Sequence, residues 1–462
     1  MSITALEQCL NSGGRAHLVG IGGVSMSALA EVLKSQGIVV TGSDSQESRN
    51  TRRLRESDIP VTIGHFPETV SGASYIIRTA AVRDDNVEIK AARAAGIPVF
   101  ERAEAWGYIM RAYANAVCIA GTHGKTTTTS MSAHIFLAAK ADPTVMVGGT
   151  LSTLNAAYRV GEGDTIILES CEYYNSFLNF SPTVAVILNI EADHLDFFKD
   201  LEDIKKSFRT FAELVPAGGC VVYNADDENT MDAMAGLKRP VLTFGLGEGA
   251  DVRAKAVSYT EAGSEFDVTV HGKSYCRVTL RVPGQHNVMN ALAAIAAAYC
   301  VGVPGKAVEE GLNDFCGAGR RFEYKGTFNG ARVYDDYAHH PSELKALLDA
   351  VAAMPYRRTI LVFQPHTYTR TYRLFDDFIE QLRRPDVLLL AEIYAAREKN
   401  TIGISSKQLA EHLPNGRYCA TFDEIEAALR AMAREGDIIL TVGAGDIVKV
   451  GERLVAPEQE AI

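Results

Sequence analysis

A Gly-Lys-Thr triplet follows an apolar run in the segment "AGTHGKTTTTS". A turn of this kind between a strand and a helix directs backbone N–H groups at one point, which suits a phosphate group. Lys125 adds a mobile cation, and the hydroxyl of Thr126 could bind Mg²⁺. The full loop pattern asks for another glycine where this chain has Ile119, and a glycine occurs only at Gly121. The segment predicts a phosphate-binding loop, with an ordinary turn as the alternative.

Acidic side chains and an imidazole follow two apolar runs further along the chain. Open α/β sheets bind ligands at the carboxyl ends of their strands, so we expect these groups to meet there. A Mg²⁺ ion beside a phosphate group needs such ligands. Solvated loop residues are the alternative. The candidates are Glu169 and Glu172 in "LESCEYYNSF" and Asn189, Glu191, Asp193 and His194 in "ILNIEADHLDFF".

A glycine-rich turn, "GIGGVS", follows the first apolar run of the chain. Gly20 and Gly22, with Asp44 at the end of the next strand, are similar to the dinucleotide fingerprint, in which the acid binds a ribose. The sixth motif position is Ser25 rather than glycine or alanine. The turn predicts a pyrophosphate site, which suits either a nicotinamide-dependent oxidoreductase or a protein that binds a UDP-sugar.

Parallel strands with helices between them are needed to position these groups, and the hydrophobic pattern contains three such blocks. The first block covers residues 1–112, and the strand–glycine–helix pattern restarts in the second, residues 113–315. Between Thr243 and Val282 the pattern alternates, which predicts a small antiparallel excursion. The third block covers residues 316–462. The predicted fold class is α/β, with three domains.

Composition narrows the class of protein. The chain has 462 residues, a net charge of -11 and eight cysteines without a C-x-x-C pair. The negative charge argues against general nucleic-acid binding, and no apolar run approaches the roughly 18 residues of a membrane span. The first residues lack the pattern of a signal peptide, and scattered cysteines are typical of reduced thiols. We expect a cytoplasmic protein that binds small phosphorylated ligands.

Five separated motifs, in chain order, resemble those of the Mur ligase family, and specifically of its alanine-adding members. The motifs are "GTHGKTTTT", "NIEADH", "GQHNVMNALAA", "YDDYAHHPSE" and "FQPHTYTRTYRLF". The resemblance covers nearly the whole chain. It implies an N-terminal Rossmann-like domain that binds a UDP-sugar and a central P-loop domain that binds ATP. It also implies a C-terminal Rossmann-like domain that closes over the site.

The resemblance also implies the reaction. ATP would phosphorylate the lactyl carboxylate of UDP-N-acetylmuramate, and the amine of L-alanine would displace phosphate, with Mg²⁺ present. The expected role is in peptidoglycan precursor synthesis, by a monomer or homodimer. A sibling ligase that attaches a preformed peptide to the same UDP-sugar is the first alternative. The nicotinamide-dependent oxidoreductase and a nucleotide-binding protein without catalysis are more distant.

Site residues follow from the same resemblance. For ATP it implies Gly121, Thr122, His123, Gly124, Lys125, Thr126, Thr127, His286, Asn287, Asn290, Arg321 and Asp336. For the UDP-sugar it implies Gly20, Gly22, Gly23, Ser43, Asp44, His65, Thr79, Ala80 and Arg102. For the amino acid and acyl group it implies Tyr337, His339 and Arg370, and for the metal Thr126, Glu169 and His194. The predicted catalytic residues are Lys125, His339 and Arg370.

Three positions depart from the common family pattern. Thr367 stands where an arginine is frequent, and Cys171 and Tyr174 stand where aspartates are frequent. The first departure removes a potential carboxylate or phosphate contact. The other two change the surroundings of the expected metal ligands but leave Glu169 and Glu172 in place.

Overall fold

The computed structural model describes residues 3–151, 156–260, 263–396 and 398–456. The strands form three sheets, each built from one continuous stretch of chain with helices on its faces, which confirms the predicted α/β class. The boundaries predicted after residues 112 and 315 fall between consecutive sheets, and as domain limits they stay predictions. Within the described ranges, every helix is too short or too polar to cross a bilayer.

The first sheet is parallel and carries the glycine-rich turn after its first strand. Its strands are Ala16–Val19 (β1), Val40–Asp44 (β2), Val61–Ile63 (β3), Tyr75–Arg78 (β4) and Val99–Glu101 (β5). The helices around it are Ile3–Asn11 (α1), Val24–Ser35 (α2), Arg49–Glu56 (α3), Val87–Ala94 (α4) and Arg102–Ile109 (α5). The strand order is β3-β2-β1-β4-β5. The turn therefore lies at the centre of the sheet's carboxyl edge.

The second sheet carries the phosphate-binding loop. Its strands are Asn115–Ala120 (β6), Thr144–Leu151 (β7), Ala156–Arg159 (β8), Thr165–Glu169 (β9), Val184–Ile187 (β10), Cys220–Asn224 (β11), Val241–Gly245 (β12), Val252–Thr260 (β13), Gly263–Val270 (β14) and Lys273–Leu280 (β15). Its helices are Lys125–Ala138 (α6), Leu201–Glu213 (α7), Glu228–Met234 (α8), Gln285–Cys300 (α9) and Gly305–Asn313 (α10). A 3-10 segment, Tyr173–Asn179, follows β9.

All ten strands of this sheet are hydrogen-bonded in the order β15-β14-β13-β12-β11-β10-β6-β9-β7-β8. The predicted antiparallel excursion is confirmed, since β13, β14 and β15 pair antiparallel at one edge. The opposite edge holds an antiparallel pair, β7 and β8, that the sequence did not predict. Its alternation is short and is interrupted by Gly148 and Gly149, so the hydrophobic pattern gave no clear signal.

The third sheet follows the same α/β plan. Its strands are Glu323–Phe328 (β16), Ala331–Asp336 (β17), Arg358–Phe363 (β18), Val387–Leu390 (β19), Gly416–Tyr418 (β20) and Asp437–Val442 (β21). Its helices are Pro341–Ala352 (α11), Tyr368–Arg373 (α12), Phe375–Leu382 (α13), Ser406–Glu411 (α14), Phe422–Met432 (α15) and Val448–Val455 (α16). The order is β16-β17-β21-β18-β19-β20, in which only β16 is antiparallel to its neighbour. The strands β17 and β18 therefore end at the same edge.

Helix α9 fixes the helix that follows the phosphate-binding loop. Its alanine-rich apolar run from Ala291 to Ala298 is fully buried, as expected for a helix that is apolar on all sides. Small side chains let α6 pack closely against both α9 and α10. At Gly311 of α10, an added Cβ would lie 2.6 Å from the Cα of Ile135 in α6. The C-terminal end of α6 is therefore held by close backbone packing.

A buried carboxylate, Glu88 of α4, organises the side chains beside the first sheet. Glu88 is fully buried and accepts hydrogen bonds from Ser43 Oγ at 2.6 Å, His65 Nδ1 at 2.8 Å and the Thr69 hydroxyl. The Nε2 atom of His17 lies 3.5 Å away. Burial alone would raise the pKa of Glu88, but these donors outweigh it and lower the pKa to about 2. The charged form of Glu88 therefore stabilises the fold.

We expect the substitution Glu88→Gln to lower the free energy of unfolding at neutral pH by about 3 kcal/mol. Because the folded-state pKa of Glu88 is lowered from 4.5, its contribution is complete above that value and is lost as pH falls towards about 2. The difference in the free energy of unfolding between wild type and variant should therefore become smaller as the pH falls towards about 2. Denaturant unfolding at several pH values measures it, with the exposed Glu56→Gln as control. A pH-independent difference would contradict the assignment.

Candidate active site

The phosphate-binding loop has the predicted form, a turn between strand β6 and helix α6. Gly124 has φ 82°, and an added Cβ would lie 2.4 Å from Oδ1 of Asn290. Gly121 has φ 149°, and its added Cβ would lie 2.8 Å from the Cβ of Leu188. Both glycines are thus required by the left-handed backbone and by close neighbours. The N–H groups at the start of α6 face the loop, as phosphate binding needs.

The ammonium group of Lys125 already has an anionic partner. Its Nζ donates to both carboxylate oxygens of Glu172, at 3.0 and 3.3 Å, to the carbonyl of Thr122 at 3.1 Å and to the carbonyl of Gly121. Burial opposes the charge, but the carboxylates of Glu172 and Glu169 outweigh it and raise the pKa of Lys125. Lys125 is therefore a permanent cation, and Glu172 lies where a phosphate would compete for it.

The three predicted metal ligands lie around this ion pair. Thr126 Oγ1 donates to Glu169 Oε2 at 3.0 Å, and the same oxygen accepts from Gly148 N at 2.7 Å. Nε2 of His194 lies 3.7 Å from Oε1 of Glu172, and its ring stacks on Tyr173 at 4.4 Å. The structure thus brings Thr126 and Glu169 into direct contact. His194 approaches them from the side of Glu172.

A cavity of roughly 270 Å³ lies between the central and C-terminal sheets, beside the loop. Its apolar wall includes Leu188, Phe244 and Phe315, which could pack against a flat base. Burial raises the pKa of Asp336, at the rim, to about 6, against the attraction of Arg321. Eight of the residues predicted for ATP line this cavity: His123, Gly124, Thr127, His286, Asn287, Asn290, Arg321 and Asp336.

A larger cleft of roughly 1060 Å³ continues from this cavity between the same two sheets. Its central wall contains Thr122, Lys125, Thr126, Glu169 and His194, and its C-terminal wall contains Tyr337 and His339. Glu169 also lines a third cavity of roughly 260 Å³, together with Gly23, Thr79 and Arg102 from the N-terminal sheet. Glu169 therefore lies where residues predicted for all three ligands converge.

The N-terminal turn shows how the other residues predicted for the UDP-sugar are arranged. Gly20 has φ 83°, and Gly22 N donates to Asp44 Oδ2 at 2.8 Å, which closes the turn on the next strand. Ala80 is exposed, and His65 is half-buried against Glu88. The hydroxyl of Ser43 is buried and donates to Glu88, and the assignment of Ser43 to the UDP-sugar stays a prediction. Ser43 reaches the turn only through its carbonyl, which accepts from Gly20 N.

Arg370 forms a buried ion pair across the boundary between two sheets. Its Nη2 donates to Asp193 Oδ1 at 2.9 Å and Oδ2 at 3.2 Å, and its Nε donates to Oδ1 at 3.1 Å. Both side chains are only 9% exposed. The guanidinium of Arg370 is therefore buried in an ion pair rather than exposed. Asp193 was considered only as a metal ligand, because the sequence gives no sign of which residues domain packing brings together.

His339 contributes a neutral imidazole to the C-terminal wall. Its Nδ1 donates to the carbonyl of Tyr337 at 2.9 Å, which leaves Nε2 as an acceptor. Burial lowers the pKa of His339 to about 3, and nearby Arg370 acts in the same direction. Tyr337 lies beside two guanidinium groups, of Arg320 at 4.9 Å and Arg321 at 5.2 Å from its ring centre. The predicted acceptor residues are therefore close to one another.

Sequence reasoning missed Glu343, which joins the C-terminal sheet to the loop. Its Oε1 lies 3.2 Å from His123 Nδ1, and its Oε2 accepts from His339 N at 2.9 Å. Burial opposes a charge on His123, but Glu343 and Glu191 outweigh it and raise the pKa of His123 to about 9. The only available signal was Glu343 in "HPSE", where an acid three residues after a helix cap is typical of a capping box.

We expect Arg370→Lys to lower turnover in the implied ligation by more than about tenfold, because lysine keeps the charge but loses the planar fork. Arg370→Ala should lower turnover further. It should also destabilise the protein, since Asp193 would be left buried without a partner. Steady-state rates and thermal unfolding measure the two effects. The matched control is Arg373→Lys, at an exposed position of the same helix. Wild-type rates in Arg370→Lys would remove Arg370 from the site.

Comparison with known proteins agrees with this geometry. Residues 15–114, 119–298 and 320–445 match the domains described as "Mur ligase family, catalytic domain", "Mur ligase middle domain" and "Mur ligase, glutamate ligase domain".

Two relatives are named UDP-N-acetylmuramate–L-alanine ligase. The protein of Caldanaerobacter subterraneus is 45% identical, over 97% of this chain and 99% of its own. The protein of Agathobacter rectalis is 46% identical, over 95% of this chain and 97% of its own. The crystal structure of UDP-N-acetylmuramate-alanine ligase MurC from Thermotoga maritima is similar with a TM-score of 0.79 and 31% identity, over 96% of this chain and 98% of that one. With three matching domains and relatives of this identity over nearly its full length, the chain belongs to the Mur ligase family.

Proposed function

We propose that the protein joins L-alanine to the lactyl carboxylate of UDP-N-acetylmuramate, using ATP and releasing ADP and phosphate. One observation carries the proposal: the phosphate-binding loop, the predicted metal ligands and the predicted acceptor residues Tyr337 and His339 line one continuous cleft. The membership in a family of ATP-dependent ligases agrees with it. So do the names of relatives that are 45% and 46% identical to this chain.

The arrangement suits an acyl-phosphate route. A free carboxylate is a poor acyl donor, because its leaving group would be oxide, and phosphorylation replaces that group with phosphate. The charge that spreads over the transferred phosphoryl group needs fixed cations. Lys125 is a permanent cation at the loop, and it can exchange Glu172 for phosphate oxygens.

The residues around the loop fit a Mg²⁺ ion. Thr126 Oγ1 and Glu169 Oε2 are 3.0 Å apart, and hydroxyl and carboxylate oxygens are the ligands that Mg²⁺ prefers. His194, beside Glu172, is the candidate for a second ion. When bound, Mg²⁺ would neutralise phosphate charge and orient the transferred group. Without it, the carboxylates of Glu169 and Glu172 would repel the phosphates of ATP.

The C-terminal wall would bind the acceptor and carboxylate groups. Nε2 of neutral His339 can accept a hydrogen bond from an amine, whereas Arg370 is matched to a carboxylate. All the hydrogen-bonding nitrogens of Arg370 are engaged here, by Asp193 and by His366. A substrate carboxylate would therefore have to share or replace Asp193. Arg370 would act on the acyl group only after that exchange.

We further infer a cytoplasmic enzyme, monomeric or homodimeric, that does not act on nucleic acid. The substrates proposed, ATP and a UDP-sugar, are intracellular metabolites, and the net charge of -11 disfavours nucleic-acid binding.

We expect phosphate release only when ATP, Mg²⁺, UDP-N-acetylmuramate and an acceptor are all present, with L-alanine favoured over glycine, L-serine and a tripeptide. A single methyl group in a pocket is worth roughly 10-fold to 200-fold in discrimination. Product mass identifies the amide, and Lys125→Ala is the inactive control. A preference for the tripeptide would instead support the sibling ligase that attaches a preformed peptide.

We expect Glu169→Gln and His194→Ala each to lower turnover by more than about tenfold, because each removes a ligand near developing phosphoryl charge. Added Mg²⁺ should partly restore the rate. Titrating Mg²⁺ at saturating substrates measures the effect, and Glu202→Gln, at an exposed position of α7, is the control. If both variants kept the wild-type Mg²⁺ dependence, Glu169 and His194 would not be metal ligands.

A further inference from the structure

A second cluster of metal-binding side chains includes one residue of the phosphate-binding loop. One nitrogen each of His123 and His340 and one oxygen of Glu191 lie within 4.8 Å of one another. His123 belongs to the loop, Glu191 follows strand β10, and His340 precedes helix α11 of the C-terminal sheet. The cluster therefore spans the boundary between the second and third sheets. Glu191 was among the acidic candidates for Mg²⁺, but no residue of the cluster belongs to the set Thr126, Glu169 and His194.

The distances suit a small tetrahedral ion. His123 Nε2 lies 3.4 Å from Glu191 Oε2, and one ring nitrogen of His340 lies within 4.8 Å of the ligand atoms of both residues. Ligands about 2.1 Å from a tetrahedral zinc ion are about 3.4 Å apart. The present spacing therefore needs only small side-chain movements to hold one ion. Three protein ligands would leave a fourth position for water.

The surroundings of His123 are also those of a metal ligand. A histidine that binds a metal through one nitrogen generally donates its other N–H to a carboxylate. His123 Nδ1 lies 3.2 Å from Glu343 Oε1, which leaves Nε2 directed towards Glu191. When His123 is neutral, this contact holds its proton on Nδ1 and leaves Nε2 free to bind.

Two buried ring nitrogens in the cluster have no hydrogen-bond partner. Among the described residues, Nε2 of His123 and Nε2 of His340 are buried without one. His340 is only 5% exposed. A buried polar atom without a partner is costly, so these two atoms point to a ligand that satisfies them.

We propose that His123, Glu191 and His340 form a binding site for zinc or a similar late transition-metal ion. Two imidazoles and one carboxylate select such ions over Mg²⁺, which prefers oxygen ligands. When Nε2 of His123 binds the ion, it releases its proton to solvent, because a nitrogen that binds a metal must be unprotonated. The hydroxyl of Ser342, which donates to Glu191, would keep that carboxylate oriented.

A metal ion at this site would join the two halves of the nucleotide cavity. His123 and Glu191 line that cavity from the central side, and Ser342 and Glu343, beside His340, line it from the C-terminal side. An ion bound to both sides would hold the domains closed and would fix the loop. We therefore expect the metal ion to inhibit the enzyme by slowing the entry and release of nucleotide. This inhibition rests on the proposed function, whereas metal binding itself does not.

Binding is tested on the ligand-free protein with Co²⁺, which gives visible absorption bands in a tetrahedral site. We expect these bands in wild type, and Zn²⁺ should abolish them. His340→Asn should weaken Co²⁺ binding by more than about tenfold. Asparagine keeps an oxygen that can cap helix α11, so the fold should be retained. The matched control is His412→Asn, at an exposed helix end.

Glu191→Gln provides a second variant, for the case in which His340→Asn does not fold. Unchanged Co²⁺ bands in the folded His340→Asn or Glu191→Gln protein would overturn the proposal. Loss of the bands in Cys171→Ser or Cys316→Ser would also overturn it, since exposed thiols would then be the ligands.

Inhibition by Zn²⁺ is measured at saturating Mg²⁺. His340→Asn should keep its basal rate and should need more than about tenfold more Zn²⁺ for half inhibition. Equal inhibition of wild type and variant, relieved by excess Mg²⁺, would place Zn²⁺ at the site of Thr126 and Glu169 instead. Co²⁺ binding to a protein without ligase activity would contradict the proposed function but not the metal site.

Discussion

The structure of the site depends on the need of one buried ammonium group, that of Lys125, for an anionic partner. Glu172 provides this partner in the ligand-free protein, at 3.0 Å. The same carboxylate lies 3.7 Å from His194, so it also connects the loop to the end of strand β10. With Glu169 close by, the surroundings carry more negative than positive charge. The carboxylates would repel a polyanion such as ATP. ATP can therefore enter only when it brings cations with it, or after the carboxylates have bound cations.

Charged contacts, rather than apolar packing, join the C-terminal sheet to the central one near the loop. Arg370 pairs with Asp193, Glu343 approaches His123, and Ser342 donates to Glu191. A charged contact can exchange its partner for a substrate group. This exchange costs less free energy than the separation of a packed apolar surface. The groups that join the two sheets are therefore of types that a nucleotide or a carboxylate could also bind.

The sequence predicted the fold class, and eight of the residues assigned to ATP line one cavity, because both depend on local patterns. Alternating strands and helices specify parallel sheets, and the glycines at 121 and 124 specify the loop. The partners of charged side chains were less predictable. Nothing near Arg370 in sequence indicates Asp193, since the pair depends on how two separately built sheets meet. The burial of Ser43 against Glu88 was unpredictable for a similar reason. It depends on helix α4, which comes about 45 residues later in the chain.

The order of the three sheets along the chain has a consequence for synthesis. Each sheet is formed by consecutive strands, so each can fold once its own segment has left the ribosome, without waiting for later residues. The phosphate-binding loop belongs to the second segment, but the nucleotide cavity also needs Arg321, Asp336 and Glu343 of the third. A nascent chain therefore acquires the loop first and the complete cavity last. Binding energy from the nucleotide becomes available only after the final segment has docked.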